Sequence, residues 1–198
     1  MKYNLSEISD VIKDRRTIFP EFYSDRKVHR EQVETILNNA IWAPNHGSTQ
    51  PWKFKVFLGE GKVKLSDFLS NLYTAKFTGE DFKQKKFEKL KYRPINNGCA
   101  IIAVSLSRDP ESRILEIEEI EAVACAIQNM YLTCTAWGLG GFWSTPKLIY
   151  TKEMNDFLEL KGEDKCLGLF YIGYPKPDYK WPKGHRKPIE YFTEWVEE

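Results

Sequence analysis

The run over residues 112–137 constrains the fold more than any other stretch. Ile120, Val123, Ile127, Met130, Cys134 and Trp137 recur at alternating spacings of three and four, which is the periodicity of one helix face. Ala122, Ala124 and Ala126 keep much of the remaining circumference small, so neighbours can approach from more than one side. Such a helix belongs at the centre of a domain or of a dimer interface. On either side lie two apolar runs of strand length, residues 99–106 and 166–173. Their apolar character is continuous rather than alternating, so both read as strands buried on two faces. Asn97-Gly98 precedes the first as a turn signal.

The rest of the chain supplies layers for this centre. Residues 5–16 read as a short helix with Leu5, Ile8, Val11 and Ile12 at helical spacing and Ser6 as N-cap, stopped before Pro20. A second helix covers 30–42, with Val33, Ile36, Leu37, Ala40 and Ile41 on one face, and Pro44 ends it. Residues 53–58 alternate like a strand. Residues 62–92 are lysine-rich and amphipathic, broken at Thr78-Gly79; a solvated helical pair and a mobile lid over a site are both compatible with that text. Thr151 caps a short helix that places Met154, Phe157 and Leu158 inward. The tail, 174–198, is rich in proline, lysine and aromatic residues, and packs on the domain or on a second subunit. Helices outnumber strands and neither hairpin signals nor repeats occur, which predicts a single layered α+β domain over 1–198.

Composition excludes several classes of function. Net charge is +1 with both signs mixed along the 198 residues, so no nucleic-acid footprint is present. No run approaches the roughly 18 apolar residues of a membrane span, and no signal-peptide core opens the chain. Cys99, Cys125, Cys134 and Cys166 stand apart in apolar contexts, which predicts buried reduced thiols and a cytoplasmic protein. With only His29, His46 and His185, no cluster has metal-ligand spacing. GxSxG, HExxH, P-loop and strand-linked GxGxxG motifs are all absent. Either the chain only binds, or a cofactor carries the chemistry.

Four polar segments are left for that role. Arg15-Arg16-Thr17 leave the first helix as a solvated end or as a phosphate-binding fork. Residues 43–52 (Ala-Pro-Asn-His-Gly-Ser-Thr-Gln-Pro-Trp) form a loop dense in hydrogen-bonding groups. Residues 138–145 (Gly-Leu-Gly-Gly-Phe-Trp-Ser-Thr) combine three glycines with a tryptophan and two hydroxyls, suited to backbone approaching a ligand. The tail adds Gly184-His185-Arg186-Lys187-Pro188. Aromatic residues make up 14% of the chain, enough for a large core and for walls around a flat ring.

In that order, over essentially the whole chain, these segments resemble the FMN-dependent nitroreductase family, and the Ala-Pro-Asn-His spelling is most similar to its small single-domain bacterial branch. The resemblance implies a three-layer α+β sandwich with a mostly antiparallel central sheet flanked by helices, in an intertwined homodimer with FMN at the interface. It also implies NADH or NADPH as electron donor and ping-pong reduction of nitroaromatic or quinone-like small-molecule acceptors. Carried over by residue, Arg15, Arg16 and Thr17 hold the FMN phosphate and ribityl end, and Arg186 or Lys187 closes over the same phosphate. Trp42, Asn45, His46, Ser48 and Gln50 are further cofactor-binding positions, the loop residues coming from the partner subunit. Trp143, Ser144 and Thr145 line the ring; because Pro146 has no N–H, a donor to flavin N5 comes from Ser144 or Thr145. Residues 133–138 lie on the nicotinamide path. The family also includes dehydrogenases and dehalogenases acting on particular metabolites, and a flavin-binding module without turnover is a further alternative.

Overall fold

The computed structural model describes residues 2–95 and 99–197; Asn97 and Gly98 lie outside them. A four-stranded sheet in the order β1-β2-β4-β3 forms the middle layer, from β1 (Trp52–Phe57), β2 (Ala100–Leu106), β3 (Gly140–Ser144) and β4 (Lys165–Gly173). All three strand pairs are antiparallel. Strand β2 is buried along its whole length, as its unbroken apolar text requires. Its side chains alternate between two cores, as successive residues of a strand must. Ala100, Ile102, Val104 and Leu106 meet α5 (Glu116–Ala136) and α2 (Arg30–Ala40) on one face. Ile101 and Ala103 meet Leu65 and Leu69 of α3 (Glu60–Lys76) on the other, with Met154 and Leu158 of α6 (Lys152–Leu158). The expected three layers are therefore present.

Local structure departs from the sequence pattern at informative places. Helix α1 (Leu5–Asp14) is capped by Asn4, whose side-chain oxygen accepts from the Ser6 and Glu7 N–H groups; Ser6 is not the cap. Asn4 wins because its oxygen reaches two orphan donors of the first turn. The helix ends at Asp14, so Arg15 is its C-cap rather than an interior residue. Its apolar face is unburied, with Leu5, Ile8 and Ile12 exposed at 65%, 47% and 52%. Residues 62–92 form α3 and α4 (Gln84–Tyr92), separated at Phe77 as the Thr78-Gly79 break suggested. Thr151 caps α6 as expected, accepting from the Met154 N–H.

Two expectations need correction. Cys99, Cys134 and Cys166 are buried, but Cys125 lies exposed on the outer side of α5. The glycine-rich stretch after α5, which the sequence did not mark as a strand, begins β3 at Gly140 and Gly141. A Cβ on Gly140 would meet Ile18 at 2.8 Å and one on Gly141 would meet Phe170 at 2.9 Å, so these glycines serve packing within the chain.

Candidate active site

Arg15, Arg16 and Arg186 line one cleft of about 1260 Å³, bounded by α1, the C-terminal turns of α5 and the tail at 181–186. Its wall carries Lys13, Arg15, Arg16, Lys183 and Arg186 against only Asp10 and Asp14, a surplus of positive charge. The two adjacent arginines have different work. Arg16 is committed to backbone: Nε donates to the Pro182 carbonyl at 2.9 Å, and Nη1 to Lys13 and Arg15 carbonyls. It thereby pins the tail to α1, assisted by the Trp181 indole N–H donating to the Asp14 carbonyl at 2.6 Å. The Arg15 guanidinium lies over the Tyr131 ring at 5.2 Å and, among the described residues, pairs with no carboxylate. Lys187 is not in this wall; its Nζ sits over the Tyr191 ring at 5.4 Å. Thr135, Ala136 and Gly138 complete the floor, so part of 133–138 faces the same cleft.

Tyr131 connects the arginine to β3. Its hydroxyl accepts the Trp143 N–H at 2.8 Å while its ring supports Arg15. Thr17 forms a parallel bridge with Gly141, and the Ile18 N–H donates to the Gly141 carbonyl at 3.0 Å. Thr17 and the Trp143-Ser144-Thr145 segment are thus held as one unit. Trp143 is fixed in turn by its indole N–H, which donates to the Leu167 carbonyl at 3.0 Å. A Cβ on Gly168 of β4 would lie 2.1 Å from that indole nitrogen, so the place the indole occupies requires glycine at that position. Tyr131 itself was invisible as a site residue in the sequence, where it reads as one more apolar position of a long helix.

The 43–52 loop is elsewhere. Ser48 and Gln50 adopt left-handed backbone at φ 53° and 49°, beside Gly47 at φ 61°. Left-handed non-glycine residues cost on the order of 1–3 kcal/mol each unless the surroundings hold them. Asn45 does so: its Oδ1 accepts the Gln50 N–H at 2.9 Å. His46 Nδ1 contacts the Glu118 carboxylate at 3.1 Å and 3.2 Å, on the first turn of α5. Trp42 is 84% exposed. Glu118 and Tyr131 are separated by thirteen helical steps, or about 20 Å at 1.5 Å per residue. Within one chain the His46 loop and the Arg15 cluster therefore sit at opposite ends of α5. No sequence signal pointed to Glu118.

A second, smaller cavity of about 310 Å³ lies between α3, α4 and the end of β3. Ser144 reaches it from β3, and Lys86, Lys89, Arg93 and Lys147 surround it. Arg93 donates through Nε and Nη2 to Glu21 Oε1 and packs over the Phe19 and Phe142 rings. Among the described residues, no group of His, Cys, Asp and Glu is arranged to hold a metal ion, and no helix is long and apolar enough to cross a membrane.

The chain is similar to "Putative NAD(P)H nitroreductase YdjA" of Escherichia coli strain K12, 30% identical over 146 residues, covering 74% of this chain and 77% of the relative. Among solved structures it resembles the nitroreductase-like family protein from Bacillus cereus, at 30% identity and TM-score 0.81, over 100% of this chain and 99% of that one. The FMN-dependent nitroreductase NfnB from Mycobacterium smegmatis, solved in complex with NADPH, shares the fold at TM-score 0.74 and 16% identity, over 98% of this chain and 100% of that one. The model of the nitroreductase family matches residues 12–174, which takes in Arg15, the 43–52 loop and all of β3. The chain belongs to the nitroreductase family.

Proposed function

We propose that this chain is an FMN-dependent NAD(P)H oxidoreductase that passes electrons to nitroaromatic or quinone-like acceptors. The observation that carries the reading is the coupling of a half-buried arginine, with no carboxylate partner among the described residues, to the Trp143-Ser144-Thr145 edge through Tyr131. A phosphate monoester fits this donor set: it is a compact dianion, and the cleft offers guanidinium groups with a surplus of positive charge. When bound, FMN supplies the hydride and electron transfer that no side-chain set here provides. Arg15 holds the phosphate, and Thr17 stands beside it on the β3 bridge. Arg16 acts at one remove, clasping Pro182 so that Arg186 stays over the cleft. Trp143, Ser144 and Thr145 wall the ring, with the Ser144 or Thr145 N–H as donor to its central nitrogen. Residues 133–138 lie beside the donor nucleotide.

The reading requires a second copy of the chain. Asn45, His46, Ser48 and Gln50 stand about 20 Å along α5 from Tyr131, so they complete a site only on a partner. The accessible surface supports this: 12769 Å², against about 9,700 Å² expected for a folded monomer of 23.2 kDa. Exposed apolar side chains occur on α1 and along the tail, where Tyr191, Phe192 and Trp195 are each at least 71% exposed. The functional unit is an intertwined homodimer of one domain per chain, working in the cytoplasm, where cysteine thiols stay reduced. Purified protein should be yellow, bleach anaerobically with NADH or NADPH, and recover its colour with a nitroarene or quinone. Colourless protein that FMN cannot reconstitute would refute the assignment.

A further inference from the structure

The cavity beneath α3 and α4 holds charge that phosphate binding does not use. Lys86 and Lys89 are three residues apart on α4 and so share a face. Lys147 lines the same cavity from the turn after β3. Arg93 is neutralised by Glu21. Among the described residues, no carboxylate pairs with Lys86, Lys89 or Lys147, and no lining residue of the cavity is acidic. In a chain of net charge +1, three exposed lysines that line one cavity from two elements, with no carboxylate partner among the described residues, are a local concentration, not a general basic surface. Like charges lining one cavity repel, and a bound anion relieves that repulsion.

The remaining walls describe the rest of the ligand. Tyr73, Phe77 and Tyr171 present aromatic surface, and Leu148 and Leu169 close the apolar side. The volume of about 310 Å³ is at the small end of the ligand-pocket range of roughly 300–1,000 Å³. It suits one or two fused rings and is too small for a dinucleotide. Ser144 opens the cavity toward the ring-lining edge of β3.

Resting on the flavin reading of Ser144, we propose that this cavity is the acceptor subsite and that its substrates are aromatic anions, nitroarenes or quinones bearing a carboxylate or sulfonate. The lysines hold the anionic group, the aromatic walls hold the ring, and the reducible group is left at Ser144. For a carboxylated nitroarene the balance is two electrons and two protons taken up. The nitro group loses one oxygen as water and becomes nitroso, while NAD(P)H gives up hydride, and a solvent proton makes up the second.

The test compares 4-nitrobenzoate with its neutral methyl ester on FMN-loaded protein. The acid should have a kcat/KM about tenfold above the ester at low ionic strength, falling toward parity in about 0.5 M salt. The triple variant Lys86→Gln/Lys89→Gln/Lys147→Gln should remove that advantage while leaving the ester, the bound FMN and the rate of bleaching by NAD(P)H unchanged. Calorimetric binding of 4-nitrobenzoate without NAD(P)H should weaken by a similar factor in the variant. Equal rates for acid and ester, or equal losses for both in the variant, would overturn the proposal and leave the oxidoreductase reading intact. Protein that never binds FMN would overturn that parent reading, and calorimetry on the same protein would still decide whether the cavity takes the anion.

Discussion

Arg15 and Arg16 are neighbours in sequence with unlike fates, and the difference is what makes Arg15 the proposed phosphate-binding residue. Arg16 has three backbone acceptors and little left to offer; Arg15 has a ring beneath it and an open charge. A charge-assisted hydrogen bond contributes roughly 1.5–3 kcal/mol, so Arg15→Ala should weaken FMN binding by about tenfold or more, read by quenching of flavin fluorescence on the apoprotein. Unchanged affinity would remove the phosphate assignment. His46 raises a question of orientation. Glu118 engages Nδ1 and leaves Nε2 uncommitted among the described residues, which fixes the ring for whatever Nε2 meets. His46→Ala should lower flavin retention or shift the midpoint potential, and Glu118→Gln should cause part of the same change. In a His46→Ala background Glu118→Gln should do nothing further; a full effect there would mean that Glu118 acts independently of His46. Asp109 is a structural case. The Arg113 side chain donates to both of its carboxylate oxygens, lowering its pKa from 3.8 to about 2. A depressed carboxylate stabilises the fold above its unfolded pKa, and that stability is lost as pH falls through the folded one. Thermal unfolding midpoints should therefore drop between about pH 4 and pH 2, and Asp109→Asn should flatten that part of the profile.

At the scale of elements, β3 binds the site to the core, and its glycines set how closely it does so. A Cβ on Gly141 would press on Phe170 at 2.9 Å and on Tyr131 at 3.0 Å, both ring atoms in a packed interior. Gly141→Ala should destabilise by about 1–3 kcal/mol through overpacking, measured by denaturant unfolding, and should loosen Arg15 by displacing its ring support. A neutral substitution would mean that Tyr131 can move freely. This strand also marks the limit of what the sequence made legible. Helices α2 and α5 and strands β2 and β4 announced themselves, because burial on one stripe or on both faces writes a period into the chain. Gly-Gly-Phe-Trp-Ser has neither alternation nor β-branched residues, and it is a strand only because β4 pairs with it. The Arg15–Tyr131–Trp143 link and the Arg16–Pro182 clasp join residues far apart in sequence, and spacing carries no trace of them. The polar motifs were legible as types, through resemblance, while their division into two distant clusters needed the geometry of α5.

For the whole molecule, the question is what covers the surface that one chain leaves bare. Helix α1 has the periodicity of a packed helix, yet Leu5, Ile8 and Ile12 face outward. A pattern that predicts burial and a chain that does not provide it together imply a second surface, as does an accessible area about 3,000 Å² above the monomer expectation. The two halves of the proposed flavin site lie at opposite ends of α5, so the same association that buries this surface must also bring the halves together. Assembly and cofactor binding should then fail as one event. Sedimentation equilibrium of the native protein should give twice 23.2 kDa, and Leu5→Glu/Ile8→Glu should shift the distribution toward monomer. Because neither Leu5 nor Ile8 lines the arginine cleft, loss of FMN in proportion to loss of dimer would mean that the second copy completes the site. A monomeric variant that kept its flavin stoichiometrically would show instead that the Arg15 cluster and β3 suffice, and the His46 loop would then have no part in holding the cofactor.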